Sequence, residues 1–287
     1  MKAKKKQNKV YIYAVIIALL IFVINSILDS VDPLPSNHGN TLVHFIDVGQ
    51  GDAIYIKTPS KNILIDAGGR GDTVVDYLAK LNVNSLDLVI GTHPHEDHIG
   101  GLVNVFQNIE VKEVIDPGII HTSKTFEDYL TLIDENDIKF TEGRAGMKRQ
   151  FDDGAILEIL SPSSPESNNL NEVSIVTKLT YGDMSFLFTG DANTNSEEEI
   201  LSNGYNVKST ILKVGHHGSS ASTSDDFLDA VSPVAAIIMC GTDNSYGHPH
   251  EETLEKLSDS DIAIYRTDIN GNIIVSTDGQ TYEISHD

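Results

Sequence analysis

The sequence of 287 residues contains one cysteine and shows no internal repeat or low-complexity tract. A single cysteine excludes an internal disulfide framework and any cysteine-rich zinc module. Cys240 ends the apolar run 234–240, and we predict that it is a buried strand residue. Hydrophobic residues make up 40% of the chain. This fraction is typical of a folded protein with a core and excludes a disordered chain.

Basic residues are scarce outside the N-terminus. Five of the 20 Lys and Arg residues lie within the first nine positions, and the chain from Asn40 onward carries 15 basic against 40 acidic residues. Its formal charge is −25 there, compared with −22 for the whole chain. A domain with this negative charge repels phosphate backbones at long range, which disfavours a generic nucleic-acid binder.

An uncharged apolar run, residues 10–28, directly follows the basic residues 1–9. As a helix it is long enough to cross a hydrocarbon core of about 30 Å. The positive-inside rule predicts a cytoplasmic segment 1–9, a transmembrane anchor 10–28 and an extracytoplasmic remainder. Secretion after signal cleavage is the alternative. The run exceeds the usual signal core and no small-x-small site follows it, which favours the uncleaved anchor. Residues 29–40 then predict a short linker.

Residues 41–287 predict one catalytic domain of short strands and helices. The apolar runs 42–48, 53–57 and 62–66 predict an antiparallel meander, and 86–90 predicts a buried strand. Helical spacing appears at 73–81 and 99–106. The runs 173–181 and 184–188 flank Gly182-Asp183, a strong hairpin signal. The pattern favours an α/β fold of two sheets covered by helices, with ligands on the loops between them.

Four potential metal ligands, His93, His95, Asp97 and His98, lie within six residues. Imidazoles and carboxylates are ligands of zinc, manganese and iron. A tight loop between the buried strand and the next helix can direct His93 and His95 at one ion, and Asp97 and His98 at a second. The sequence therefore predicts one or two divalent cations, Zn²⁺ or Mn²⁺, as cofactor.

The run His93-x-His95-x-Asp97-His98, followed by Gly100-Gly101, resembles the signature of the metallo-β-lactamase superfamily. Further segments resemble one branch, the hydrolase domain of the ComEC DNA-uptake proteins and their stand-alone relatives. These segments are 44–53, 65–68, 188–192, 213–219, 246–250 and 265–268. The resemblance implies a four-layer αββα sandwich for residues 41–287 and, in this branch, cleavage of nucleic-acid phosphodiesters.

The resemblance also implies roles for individual residues. Asp191 would bridge two ions, and His216 would complete the second ion's site, with His217 as the alternative. Asp66 would be the buried carboxylate that orients the histidine loop. Asn171 stands where many superfamily members carry a histidine. The first ion is therefore expected to be held by fewer protein groups, or to be absent.

Tyr246 and His248 lie in a Tyr-Gly-His-Pro stretch that is similar to the branch. We expect His248 to contact the substrate or transition state; otherwise it caps, or packs beneath, the helix that begins near Pro249. Asp97 or Asp191 would orient a hydroxide produced by metal activation of water. We therefore expect Asp97, Asp191 and His248 to be the catalytic residues.

Three functions remain open at this point. The first is a membrane-anchored, extracytoplasmic phosphodiesterase or nuclease acting on nucleic acid or on a cell-wall polymer. The second is a β-lactam or other acyl hydrolase. The third is a non-catalytic accessory protein of a DNA-uptake or wall machine, which Asn171 motivates. No nucleotide cofactor is expected, because the glycines at 68–71 lack dinucleotide-binding spacing.

Overall fold

The structure is a computed structural model that describes residues 39–287. The predicted cytoplasmic segment, the transmembrane anchor and all but the last two residues of the predicted linker lie outside this range. Between residues 39 and 287, no helix has the length and apolarity needed to span a membrane.

The described chain alternates between short strands and helices. The strands are β1 (Thr41–Phe45), β2 (Ile54–Lys57), β3 (Asn62–Ile65), β4 (Ser85–Leu86), β5 (Leu88–Ile90), β6 (Glu110–Val111), β7 (Glu113–Asp116), β8 (Lys139–Glu142), β9 (Lys148–Gln150), β10 (Ile156–Ser161), β11 (Val176–Tyr181), β12 (Met184–Phe188), β13 (Ile211–Lys213), β14 (Ala235–Ile238), β15 (Ala263–Arg266), β16 (Ile273–Thr277) and β17 (Tyr282–His286). The helices are α1 (Thr73–Lys80), α2 (Glu96–Asn108), α3 (Lys124–Glu135), α4 (Thr194–Ser202), α5 (Asp225–Val231), α6 (Glu251–Asp259) and α7 (Thr267–Asn270).

Two large mixed sheets form the centre of the domain. The first has the strand order β17-β16-β1-β2-β3-β5-β7-β8, and the second has the order β15-β14-β13-β12-β11-β10-β9. In the first sheet the pairs from β17 to β3 are antiparallel and those from β3 to β8 are parallel. In the second, β12 to β15 run parallel and β9 to β12 antiparallel. A parallel pair, β4 and β6, stands apart.

Three buried apolar clusters define the layers. The central one joins side chains of both sheets, among them Phe45 of β1 and Phe186 of β12. A second cluster packs α1, α2 and α3 against the outer face of the first sheet, and a third packs α4, α5 and α6 against the second. The architecture is a four-layer αββα sandwich, as expected. Cys240, two residues beyond β14, is buried as predicted.

The meander β1-β2-β3 is confirmed, but the helix predicted at 99–106 begins earlier, at Glu96, and continues to Asn108. Asp97 and His98 therefore lie in its first turn and not in the preceding loop. These polar side chains interrupt the apolar periodicity, so the pattern did not indicate a helix here. Acidic residues are nevertheless favourable in a first helical turn, because they interact with the helix dipole. The prediction also missed β8 and β9, whose side chains are mostly exposed, and β10, whose side chains are mostly buried.

The carboxyl ends of neighbouring parallel strands place the predicted ligands together. The loops after β3 and β5 carry Asp66 and the histidine motif, and those after β12 and β13 carry Asp191 and the pair His216-His217. Ligand sites of open α/β sheets form at such carboxyl ends.

Candidate metal centre

The histidine motif runs from the loop after β5 into α2. His93 and His98 are fully buried, whereas His95 and Asp97 are partly exposed. Gly101 in the first turns of α2 packs directly on the loop after β3, since a Cβ there would lie 2.1 Å from the carbonyl oxygen of Ala67. The absence of a side chain at this position therefore allows α2 to pack closely against the β3 loop.

Asp66 lies behind the motif and organises it. Its carboxylate accepts hydrogen bonds from the backbone N–H of Thr92 at 2.8 Å and from the Thr92 hydroxyl at 2.6 Å. It also lies 2.8 Å from Nδ1 of His98. Asp66 has a φ of 55°, a rare left-handed backbone for a non-glycine residue. It thus holds His98 with Nε2 directed towards Asp191.

Asp191 is the central carboxylate and is buried. Its Oδ1 lies 3.2 Å from Nε2 of His98 and 3.5 Å from Nε2 of His217. Its Oδ2 lies 3.8 Å from Nε2 of His93 and 3.5 Å from Nε2 of His216. The two oxygens of one carboxylate therefore face two different pairs of imidazoles.

The structure brings His217, and not His216, next to Asp97 and His98. Nε2 of His217 lies 3.4 Å from Oδ2 of Asp97, while Nδ1 of the same ring donates to the carbonyl oxygen of Met239 at 2.9 Å. His216, the preferred residue of the sequence prediction, lies on the other side of Asp191. Sequence cannot decide between two adjacent histidines, because the choice depends on the backbone conformation of the turn.

Four groups around one point form what we call the second set: Asp97, His98, His217 and Oδ1 of Asp191. Donor atoms of Asp97, His98 and His217 lie within 4.8 Å of one another. Neighbouring ligands of a tetrahedral zinc ion are about 3.4 Å apart, because each metal–ligand distance is about 2.0–2.1 Å. Nε2 of both histidines and Oδ1 of Asp191 are buried without a hydrogen-bond partner within residues 39–287. The second set therefore fits a divalent cation.

His93, His95 and Oδ2 of Asp191 form what we call the first set. Nε2 of His93 and Nδ1 of His95 are 2.8 Å apart. Asn171, in the 3-10 turn Leu170–Val173, has its amide nitrogen 3.4 and 3.5 Å from the two ring nitrogens of His216. The first set thus offers fewer donors than the second, which agrees with the substitution of Asn171 for a histidine.

Charge in the second set is balanced by protons when no cation is bound. Burial opposes a charged His98, but the carboxylates of Asp191 and Asp66 outweigh it and raise the pKa of His98 well above its usual value. The pKa of His217 is likewise raised to about 9, against the effect of burial, by Asp191 and Asp52. In the first set, burial lowers the pKa of His93 and of His95. A cation in the second set would displace these protons.

The sequence prediction gave no role to a buried ion pair that supports His217. Nζ of the fully buried Lys213 contacts Oδ2 of Asp52 and donates to the carbonyl oxygen of Gly190 at 2.9 Å. Oδ1 of Asp52 lies 3.3 Å from Nδ1 of His217. Burial alone would raise the pKa of Asp52, but Lys213 and His217 lower it. Both residues lie in the segments 44–53 and 213–219 that carry the resemblance, which was the available signal.

An open cleft of about 310 Å³ lies over the centre. It is lined by Gln50, His95, Glu96, Asp97, Asp191, His216, His217, Tyr246 and His248. His248 is buried against His216, with ring centroids 5.4 Å apart, and Tyr246 stacks on His248 while remaining 64% exposed. His250, and not His248, occupies the N-cap position of α6. Burial, together with His216 and His217, lowers the pKa of His248 to about 4, so its imidazole is neutral at pH 7. A larger groove of about 730 Å³, beside α3 and β8, contains none of these residues.

Residues 46–242 match the model of the metallo-beta-lactamase superfamily. The chain belongs to this superfamily. This superfamily member is 33% identical to ComE operon protein 3 of Bacillus subtilis (strain 168) in an alignment of 261 positions that covers 84% of this chain and 33% of that protein. It is 30% identical to competence protein ComA of Neisseria gonorrhoeae in an alignment of 246 positions that covers 84% of this chain and 32% of that protein. The predicted likeness to ComEC-type competence proteins is confirmed, and the chain spans about a third of the length of these two relatives.

Among solved structures, the metallo-beta-lactamase fold protein YhfI from Bacillus subtilis superimposes with a TM-score of 0.57 and 12% sequence identity. The match covers 83% of this chain and 99% of YhfI. At this identity the likeness shows the fold alone. The chain therefore combines the fold of metal-dependent hydrolases with candidate metal-binding groups at the expected place.

Proposed function

We propose that this protein is a metal-dependent phosphodiesterase that works with two divalent cations, Zn²⁺ or Mn²⁺. The observation that carries the proposal is Asp191, whose two buried oxygens each face a separate imidazole set. Asp191 would therefore contribute one oxygen to each of two cation sites. Paired cations suit phosphoester cleavage, since they stabilise charge on both the attacking and the leaving oxygen.

The cations would supply water ionised near neutral pH and positive charge beside the phosphoryl oxygens. Residues of the cleft would orient the attacking water and contact the substrate. Asp97 is 34% exposed towards the cleft, and His217 and His98 keep its pKa low against the effect of burial. Its ionised carboxylate is placed to accept a hydrogen bond from the attacking water and so to orient it. Asp191 shares this task, and the neutral His248 is placed to contact a substrate oxygen or the transition state.

The cleft and the charge of the domain constrain the substrate. A cleft of about 310 Å³ accepts one phosphodiester group with a small neighbouring moiety. The negative charge of the domain weakens binding to long polyanions, because it repels their phosphates. The likeness to competence proteins supports a nucleic-acid substrate, and the charge favours a single-stranded, short or wall-attached phosphodiester.

The proposed location follows from the sequence. Residues 1–9 would remain in the cytoplasm, 10–28 would anchor the protein, and the hydrolase domain 41–287 would face outward. Protease treatment of intact cells should then degrade the domain. A domain that is degraded only after lysis would contradict this location.

The proposed activity is tested with the full-length protein supplied with Mn²⁺ or Zn²⁺. A bis-aryl phosphate and a single-stranded DNA are the substrates, and the double variant His95→Ala, Asp97→Ala is the inactive control. We expect turnover that chelation abolishes and the double variant lacks. Equal turnover by the double variant would refute the proposal. Nitrocefin hydrolysis without phosphodiester turnover would favour an acyl hydrolase, and absence of stoichiometric metal would favour an accessory protein.

A further inference from the structure

The two donor sets are unequal in number. The second offers Asp97, His98, His217 and Oδ1 of Asp191, whereas the first offers His93, His95 and Oδ2 of Asp191. A donor atom of His98 also lies within 4.8 Å of His93 and Asp191. A catalytic zinc ion usually has three protein ligands and keeps a further position for water or substrate. If Asp191 is shared between two ions, the first ion has only two imidazoles of its own. A third imidazole on that side would make the two sets equivalent.

His216 stands at this position. Its Nε2 lies 3.5 Å from Oδ2 of Asp191, and the same oxygen lies 3.8 Å from Nε2 of His93. The His216 ring also contacts the amide of Asn171, the residue that stands where many superfamily members have a histidine. An imidazole is therefore present beside the replaced ligand, supplied from the loop after β13.

The backbone directs both neighbouring histidines at Asp191. In extended chain, successive side chains point to opposite faces. Here His216 (φ 46°, ψ 52°) and His217 (φ 55°, ψ 23°) both adopt the left-handed conformation, and their ring centroids lie 5.9 Å apart. Such strained positions persist only where the surrounding structure holds them, and they cluster at functional sites. The N–H of His216 donates to the carbonyl oxygen of Gly190 at 3.1 Å, which ties the turn to the loop that carries Asp191.

The ring of His216 lies at the edge of the first set, and completing that set requires the ring to turn. It does not lie within 4.8 Å of two other donors, and it reaches the centre only through Asp191. Unlike His217, whose Nδ1 is bound to Met239, it is 26% exposed, and it contacts the Asn171 amide. Oδ1 of Asn171 is buried without a partner within the described chain. With the amide oxygen and nitrogen exchanged, Asn171 accepts from one ring N–H and leaves the other nitrogen for a cation.

We propose that His216 replaces the missing histidine as a ligand of the first cation, so that two consecutive histidines serve two different cations across Asp191. Asn171 supports the His216 ring and is not itself a ligand. The inference rests on the proposed metal dependence, but it concerns which residues bind and not which substrate is cleaved.

The test counts Mn²⁺ ions on the full-length protein. Metal content is measured after gel filtration, affinity is measured by calorimetry with Mn²⁺ alone, and electron paramagnetic resonance reports whether two Mn²⁺ ions are coupled. We expect two ions and a coupled spectrum for the wild type. His216→Ala should keep one ion, bind the other at least tenfold more weakly and show an uncoupled spectrum. His217→Ala, the matched control at the neighbouring position, should weaken binding of the cation in the second set.

Double variants assign the ion that is lost. His93→Ala and His93→Ala combined with His216→Ala should hold the same number of ions, because both residues serve one site. His216→Ala combined with His217→Ala should lose both ions. Asn171→His in the His216→Ala background should restore binding of the first cation by placing an imidazole where many superfamily members have one, while Asn171→Ala alone should weaken Mn²⁺ binding less than His216→Ala does.

The inference is overturned if His216→Ala keeps both ions with unchanged affinity. It is also overturned if Asn171→Ala weakens Mn²⁺ binding as much as His216→Ala does and Asn171→His does not restore binding. Thermal melts by circular dichroism confirm that each variant is folded. Phosphodiester turnover by the wild type is measured separately. If the protein binds two ions through His216 but does not cleave phosphodiesters, this inference holds and the proposed function is wrong. If it cleaves phosphodiesters but binds both ions without His216, the proposed function holds and this inference is wrong.

Discussion

The two sides of Asp191 differ in how their histidines are held. On the side of the second set, Asp66 backs His98 at 2.8 Å, and the carbonyl oxygen of Met239 fixes His217 at 2.9 Å. On the side of the first set, His95 and His216 are partly exposed, and within residues 39–287 no carboxylate other than Asp191 lies within 4 Å of a ring nitrogen of either. Both sides border the cleft, but the two histidines of the second set are fully buried and held by partners, whereas His95 and His216 are partly exposed.

This difference indicates that the two cations have different affinities and different roles. Partners behind a metal ligand fix its orientation and typically contribute 10–100-fold in affinity. The second set, with its buried partners, should therefore bind the tighter and more permanent ion. The first set should bind an ion that exchanges more readily and that meets the substrate in the open cleft. The predictions below test this asymmetry.

Asp191→Asn should have the largest effect, because it removes the only group common to both sides. We expect loss of both tight ions and a fall in phosphodiester turnover of at least about a thousandfold. Metal content and hydrolysis of a bis-aryl phosphate provide the measurement. Asp183→Asn, in an exposed hairpin turn, is the matched control and should leave both quantities unchanged. Retention of one tight ion by Asp191→Asn would show that the sides are independent.

Removal of metal should affect stability with a defined pH dependence that comes from the second set. The folded-state pKa of His217, about 9, exceeds its unfolded value of about 6.5. In chelated protein this shift stabilises the fold fully below pH 6.5, and the stabilisation is lost as pH rises through 9, on the order of 3 kcal/mol. A cation needs the ring unprotonated, so its binding strengthens over the same range. The increase in melting temperature caused by Mn²⁺, relative to chelator, should grow from pH 6.5 to 9. An increase that is independent of pH would contradict this account.

Asp52→Asn should weaken the second ion selectively. The carboxylate lies 3.3 Å from Nδ1 of His217, and its loss should lower affinity for that ion about 10–100-fold while the first ion is unaffected. The variant also leaves the buried Lys213 without its partner, which lowers the melting temperature.

A second variant separates these two effects. Combining Asp52→Asn with Lys213→Met removes the unpaired charge and should recover stability, but it should not recover affinity for the second ion. Calorimetry with Mn²⁺ and thermal melts measure the two quantities. Recovery of affinity together with stability would mean that Asp52 acts only through folding.

Much of the second set could be predicted from the sequence, since its residues follow strand-like runs directly. The motif His93–His98 follows the apolar run of β5, and Asp191 follows the run of β12. Parallel strands bring such carboxyl ends together, so convergence did not require long-range information. The layer order followed from the same alternation of strands and helices.

The remainder depends on conformations that a sequence pattern does not encode. The choice between His216 and His217 depends on the left-handed backbone of these two residues, which is rare for residues other than glycine and is not visible in the sequence pattern. The pair Asp52 and Lys213 was missed because lysine is rarely buried, and its charge is compensated by a residue 161 positions away. Lys213 ends β13 and the two histidines lie in the turn directly after it, so both points concern the chain from 213 to 217.

Tyr246→Ala should have the smallest effect and test the open side of the comparison. The exposed ring stacks on His248, whose centroid lies 5.4 Å from that of His216 and 6.1 Å from that of His217, so Tyr246 borders the cleft and reaches both sets only through His248. Stacking of a base on an aromatic side chain contributes about 1–3 kcal/mol, and we expect KM for a base-bearing phosphodiester to rise about tenfold. The turnover number and the metal content should stay unchanged, because Tyr246 contributes no donor atom to either set. Tyr246→Phe keeps the ring and should retain the wild-type KM, and a phosphodiester with only alkyl substituents should not distinguish the variants. If Tyr246→Ala instead lowers metal content, the rim of the cleft holds the first ion, and the two sides differ less than the burial of their histidines indicates.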